Sequence, residues 1–462
     1  WTPPRVTVSS TAHQNPCLNH EKMGVAGLLQ WLRSAFPECF TKTTLHSEDL
    51  LIDANFLVHD AVRTSRSQNE SQIIRQIEKQ LEKLVSNHRP TRSLIVALDG
   101  PAPFAKIETQ RHRRLKKGKP PSGRSTGLST NAVTPGTSLM MSLDSMLVAW
   151  ADRRSRHLGC SPPCTIVDPS ASPGEGEVKL LRHLMDGLDS TSCTTPEPRG
   201  ATVVGGDSDL VLLALASTAS RVQVVEHNSR NPTPAFQTDL LRRRLAPSGH
   251  EATQRAASDS LVLLCMLGGN DYLKGAGAYH LAPAFAAWEA LGSPPLVGRA
   301  PTMIHLQTLG SVLRSALSMD SAGTGASVRA RTDSTERETA CTAGDVMTDA
   351  VHEYVRSLLW NLEMYIEARC PDPSFMLPHA FQAPSCATLT RCDHTEEPTA
   401  PAAAAPSIPA HVPSRAIRPV PSHPPSRPIR ARPSRPAPAA CHTIPLPYMA
   451  RPAASGAGRE IR

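Results

Sequence analysis

Apolar residues along this chain fall into short, nearly unbroken runs separated by amphipathic stretches. The runs 49–58 (DLLIDANFLV), 93–99 (SLIVALD), 164–168 (CTIVD), 201–204 (ATVV) and 221–226 (RVQVVE) read as buried strands. They are too short for helices and mostly apolar on both faces. Between them the spacing changes to three and four. Residues 24–36 place Leu28, Leu29, Leu32 and Phe36 on one helical face, and residues 71–86 do the same with Ile74, Ile77, Leu81 and Leu84. Helical pattern also covers 138–150, 175–186, 210–216, 259–267 and 350–369. Buried strands alternating with helices predict an α/β fold on a mainly parallel central sheet with flanking helices.

The pattern fades in three places. Residues 118–130 are Gly-, Ser- and Pro-rich, and 320–345 read as a loose Ser/Thr/Ala-rich insertion. Beyond about 390 the chain becomes Pro-, Ala- and Arg-rich, with 16 of the 43 Pro between 398 and 452. Such a segment cannot bury enough apolar surface to fold, so 391–462 is expected to be a disordered tail. The first Met is Met23, and residues 1–22 are expected to be an upstream extension. The body then divides into an α/β part, 23–275, and a mainly helical part, 276–390.

Composition changes this picture at one point. The formal net charge of the 462 residues is +8, which invites a nucleic-acid reading. From 399 to 462, however, nine Arg stand against one acid, Glu460, so residues 1–398 sum to zero. Global basicity belongs to the tail. No apolar run reaches the ~18 residues of a transmembrane helix, and no membrane role is expected. The 11 Cys are scattered without a CxxC, which suits unpaired thiols in a reducing compartment.

The chemistry lies in where the acids fall. Asp53 and Asp99 end strands, and Asp207 and Asp209 follow one directly. Ligands bind outside the carboxyl ends of parallel strands, so three strands deliver acids to one sheet edge. Glu175 and Glu177 open a helix in PGEGE, and Asp271 follows the turn Gly268-Gly269-Asn270. Any one of these could be a helix cap or turn former. Seven together would repel unless counter-charged. Two Mg²⁺ ions, with Mn²⁺ as a substitute, would satisfy them and could clamp an in-line phosphoryl displacement.

A basic segment follows Asp99. Lys106, Arg111, Arg113, Arg114, Lys116, Lys117 and Lys119 face a single acid, Glu108. Lys106, Gln110, Arg113 and Arg114 stand at i, i+4, i+7 and i+8, one helical stripe able to grip phosphate.

These segments resemble one family. MGVAGLLQWL at 23–32, LLIDANFLVH at 50–59, LDGPAPFAKIETQRHRR at 98–114, NAVTPGTSLM at 131–140, SPGEGEVKLL at 172–181, GGDSDLVLLAL at 205–215 and SLVLLCMLGGNDYL at 260–273 are similar, in order, to the eukaryotic 5′→3′ exoribonucleases of the Xrn/Rat type. That family lies within the flap-nuclease and PIN-like superfamily, so the resemblance implies that fold. It also implies that Asp53, Asp99, Glu175, Glu177, Asp207, Asp209 and Asp271 are the catalytic metal ligands. Lys106, Gln110, Arg113 and Arg114 would form the pocket for the 5′-monophosphate of RNA, and His59 would stack on the first base. Phe375 is the expected aromatic opposite His59, and Trp360 is expected to pack in the core. The implied activity is Mg²⁺-dependent release of 5′-mononucleotides from 5′-monophosphorylated RNA.

The resemblance thins toward the C-terminus. After Asp271 the chain reads LKGAGAYH where the family has a Pro-rich motif, and the second conserved region is shortened. Two other readings stay open: a flap-type DNA nuclease, and an inactive RNA-binding scaffold. The expected setting is a monomer in the cytoplasm, with the nucleus as the alternative. The tail is then a contact arm for protein partners.

Overall fold

The structure, a computed structural model, describes residues 25, 27–42, 47–64, 69–116, 128, 130–156, 164–189, 200–219, 221–226, 234–247, 249–323, 343–376, 381 and 383–390. The expected extension 1–22 and tail 391–462 lie outside the described residues. So does most of the segment expected to be flexible, 118–130.

In chain order the first half comprises α1 (Leu28–Ala35), β1 (Phe40–Thr41), β2 (Asp49–Asp53), α2 (Asn55–Thr64), α3 (Glu70–His88), β3 (Ser93–Ala97), α4 (Phe104–Lys116), α5 (Ser138–Arg156), β4 (Cys164–Asp168) and α6 (Gly176–Asp189). The second half holds β5 (Gly200–Gly205), α7 (Asp209–Ala216), β6 (Arg221–Glu226), β7 (Ala235–Gln237), α8 (Thr238–Leu245) and α9 (Glu251–Met266). It continues with α10 (Leu281–Ala290), the hairpin β8 (Val297–Arg299) and β9 (Thr302–Ile304), α11 (Leu306–Gly323), α12 (Ala343–Glu367) and α13 (Cys386–Leu389).

Seven strands form one sheet in the order β1-β7-β6-β5-β2-β3-β4. The five from β6 to β4 are parallel, and they are the five runs read from the sequence. The antiparallel pair β7 and β1 finishes one edge. Side chains alternate across the sheet. Leu51, Ile95 and Val203 face a core shared with α1, α6, α7 and α9, whereas Leu50, Ile52, Leu94 and Val96 face one shared with α2, α3 and α5. The first of these cores continues without a break into α10, α11, α12 and α13.

Two boundaries differ from the sequence reading. The run 49–58 is not one strand: β2 stops at Asp53, whose carboxylate accepts the Asn55 N–H (3.0 Å) and so starts α2. A strand-end acid that caps the next helix accounts for the break. The insertion expected at 320–345 is narrower, because α11 runs to Gly323 and α12 begins at Ala343. No helix among the described residues is long and apolar enough to cross a membrane.

Candidate active site

The carboxyl ends of β2, β3 and β5 deliver acids to a single edge. Asp53 closes β2, Asp99 stands two residues after β3, and the turn after β5 leads through Asp207 into Asp209 at the head of α7. Glu175 and Glu177 flank Gly176 at the start of α6, and Asp271 follows the turn that ends α9. Asp53, Glu175, Glu177, Asp209 and Asp271 are buried, while Asp99 and Asp207 are partly exposed.

Glycine makes the approach possible. Gly176 donates its N–H to Asp99 Oδ1 (2.8 Å), and a Cβ there would lie 2.9 Å from Asp53 Oδ1 and 3.4 Å from Asp99 Oδ1. Only a residue without a side chain lets α6 start against these two carboxylates.

Lys106 reaches into the middle of the group. Its Nζ stands 2.5 Å from Glu175 Oε1 and 3.2 Å from Asp271 Oδ2. Tyr272 donates its hydroxyl to Glu175 Oε2, and Lys106 lies over the Tyr272 ring at 5.4 Å. Asn55 accepts the Asp99 N–H on its side-chain oxygen (3.1 Å) and so links the ends of β2 and β3. The Val25 N–H donates to Asp209 Oδ1 (3.2 Å).

So much negative charge in so little water perturbs every member that responds. Burial, then Asp99, push the Asp53 carboxyl up to about 8. Burial raises Glu175 to about 7 even though Lys106 opposes it. Burial and the neighbouring acids hold Glu177 and Asp209 well above the carboxylate range, and burial raises Asp207. Burial works against the Lys106 charge, but Glu175 and Asp271 outweigh it and hold the ammonium well above its ordinary value.

Among the described residues no three acids close into a ready-made cage for a metal ion. The donor set nevertheless fits a hard divalent cation. All seven donors are carboxylate oxygens, and Asp209 Oδ2 is buried without a hydrogen-bond partner.

A second layer fixes the first. Lys179, 1% exposed, donates its ammonium to Leu98 O (2.9 Å) and Pro169 O (2.8 Å) and pairs with Asp168 at 3.3 Å. It thereby ties the carbonyl preceding Asp99 to the helix that carries Glu177. Burial lowers the Lys179 ammonium, while Lys179 and His183 hold Asp168 down against its own burial. At the far end of α7, Arg242 and Arg299 donate to the carbonyls of Ala214, Leu215, Ala216, Ser217 and Ala219 at 2.6–3.2 Å. Two cations at a helix C-terminus complement its dipole.

The expected RNA contacts are distributed differently. Lys106 points to the acids. Gln110 is half-buried on α4, and Arg113 and Arg114 occupy the same helix with side chains outside the described set. His59 is exposed on α2. Phe375 does not present an open ring: it is 8% exposed, stacked on Trp360 at 5.0 Å, with the Arg356 guanidinium 5.5 Å from its centroid. The cause is a turn at Asp372, whose carbonyl accepts both the Phe375 N–H and the Trp360 indole, folding the loop onto α12. Trp360 is itself buried, edge-on to Tyr272 at 5.9 Å.

Sequence reading missed Asn55, Tyr272 and Lys179. A trace of each was present: an amide just after a strand-end acid, a hydroxyl-tipped ring beside Asp271, and a lone Lys inside the apolar run VKLL.

Residues 23–228 match the family model described as XRN 5'-3' exonuclease N-terminus. Among curated proteins, the 5'-3' exoribonuclease 2 of Gallus gallus is 25% identical over 217 residues, covering 40% of this chain and 23% of its own length. That of Candida albicans is 24% identical over 334 residues, covering 54% of this chain and 34% of its own. The chain thus spans about a quarter to a third of the length of these relatives. Among solved structures, the catalytic core of Rad2 in complex with DNA substrate aligns with a TM-score of 0.38 at 14% identity, covering 79% of this chain and 92% of that one. Human GEN1 in complex with Holliday junction DNA aligns at 0.31 and 14%, covering 79% and 71%. Over residues 23–228 the chain is thus similar to the N-terminal part of the XRN 5'-3' exonucleases.

Proposed function

We propose that this protein hydrolyses 5′-monophosphorylated RNA stepwise from its 5′ end, releasing 5′-mononucleotides. The observation that carries the reading is the convergence of seven carboxylates, five of them buried, and Lys106 at one edge of the sheet. The family match and the exoribonuclease relatives support it. Asp53, Asp99, Glu175, Glu177, Asp207, Asp209 and Asp271 would hold Mg²⁺, or Mn²⁺ in its place. Two such ions, when bound, supply an activated water and neutralise the charge that develops on phosphate.

The chain's own groups do the rest. Asn55 and the Gly176 N–H orient Asp99, and the Tyr272 hydroxyl orients Glu175. The Lys106 ammonium leaves Glu175 and Asp271 for the terminal phosphate. Gln110, Arg113 and Arg114 continue that grip along α4 by hydrogen bonds and bidentate contacts. A pocket of this kind accepts a monophosphate and excludes a cap by size. The exposed His59 ring offers a sequence-tolerant stacking surface to the first base.

The test is incubation with Mg²⁺ and matched RNAs bearing a 5′-monophosphate, a 5′-hydroxyl or a cap, with Asp207→Ala as control. Loss of the monophosphate RNA alone, from its 5′ end, is expected. Internal cuts, or equal loss of all three, would overturn the proposal.

A further inference from the structure

A second cluster of charge lies at the opposite ends of the strands. Arg221 opens β6 and pairs in register with Gly200, whereas the acid edge begins at the other end, where Gly205 faces Glu226. At about 3.3 Å per residue, the two ends of β6 stand roughly 16 Å apart. Around Arg221, the helices α8 and α9 contribute Arg242, Arg243 and Arg255 to the wall of a cavity of about 600 Å³.

The charges there do not balance. Arg243 pairs with Asp239 and Arg255 with Glu251, each at 2.7 Å. Arg221 has no ion pair among the described residues. Arg242, 7% exposed, spends its terminal nitrogens on carbonyls at the end of α7, and its Nε is buried without an acceptor. Four guanidinium groups thus stand against two carboxylates. Like-charge crowding is felt: burial, then Arg255, push the Arg242 guanidinium down to about 10. Asp259 opposes this effect from α9 but is itself engaged by Arg299 at 2.7 and 2.8 Å.

We infer that this cavity binds a small phosphorylated molecule through its terminal phosphate dianion, with Arg221 and Arg255 as the principal grips. The surplus of two positive charges, four guanidinium groups against two carboxylates, matches a dianion, and Arg255 can turn to it from the exposed Glu251. Planar guanidinium groups match phosphate oxygens bidentately, and the volume lies in the range of small-ligand sites. The site is independent of the carboxylate cluster.

Calorimetric titration of the full chain with inorganic phosphate and with adenosine 5′-monophosphate tests this, with adenosine and acetate as controls. Both phosphate species are expected to bind, the second more tightly if the base is also held, and neither control should bind. Arg221→Ala combined with Arg255→Ala should weaken binding by at least about tenfold. Alanine at Gln110, Arg113 and Arg114 together should remove only what the α4 grip contributes and leave binding at Arg221 and Arg255 in place. If the double variant does not fold, Arg221→Gln alone, at an exposed strand start, gives the same readout. Absence of binding to the wild type, or binding lost with the α4 residues but not with Arg221 and Arg255, would overturn the inference. Neither result would touch the 5′-end preference in the decay assay, which the Arg221/Arg255 variant should retain.

Discussion

The carboxylates are individually uncomfortable, and this has a measurable sign. Asp53 rises from an ordinary 3.8 to about 8 and Glu175 from 4.5 to about 7. Between those limits the folded chain holds protons that the unfolded chain has released, so stability is lost as pH rises toward 8. In a chelator, the melting temperature should fall by roughly 5 °C or more from pH 6 to pH 8. Added Mg²⁺ should raise it more at pH 8 than at pH 6, because cations then replace protons. Calorimetric scans in both buffers check this, and a melting temperature that climbs toward pH 8 in chelator would contradict it. The acids themselves were legible in the sequence because strand-end position is a local property. Asn55, Tyr272 and Lys179 were not, because the partners that tie them to the site, Asp99, Glu175 and Leu98, lie 44 to 97 residues away and only the folded sheet brings them together.

At the scale of elements, the site is a problem of holding α6 against β3. Gly176 makes the approach possible, and Lys179 pins it with two carbonyls and Asp168. Lys179→Met would take the ammonium away from Asp168 and from the carbonyls of Leu98 and Pro169, leaving Arg182 and His183 as the ion-pair partners of Asp168. The expected cost is ~2–4 kcal/mol, read as a lower urea midpoint. Adding Asp168→Asn should recover part of it by removing the orphaned charge, and an unchanged midpoint in the single variant would refute the pin. The five parallel strands were readable because each is a short run rich in apolar residues, buried on both faces in all but the edge strand β4. β1 and β7 were not, since two and three residues carry no periodicity. Residues 49–58 misled because the helix after Asp53 is as apolar as the strand before it.

On the scale of the molecule, the helices after residue 275 serve the site directly. Asn361 on α12 accepts from the Asn270 side chain (2.6 Å), and Trp360 packs edge-on to Tyr272. The turn that presents Asp271 is therefore braced by α12. That helix also fills the core above α7 and α9. A chain ending at residue 275 should expose this core, bind a hydrophobic dye and lose its near-ultraviolet circular dichroism. If such a fragment kept native tertiary signals, the brace would be dispensable. The helical region after residue 275 thus reads as a support for the acid edge, which the thinning family resemblance concealed.

Lys106 bears on the molecule's history as well as its chemistry. Its ammonium joins segments 69 and 165 residues further along the chain, at Glu175 and Asp271. A newly made chain therefore carries its own tethered cation into the most repulsive part of the fold. The repulsion among the acids is thus relieved from within the chain, by a cation that arrives with the fold itself.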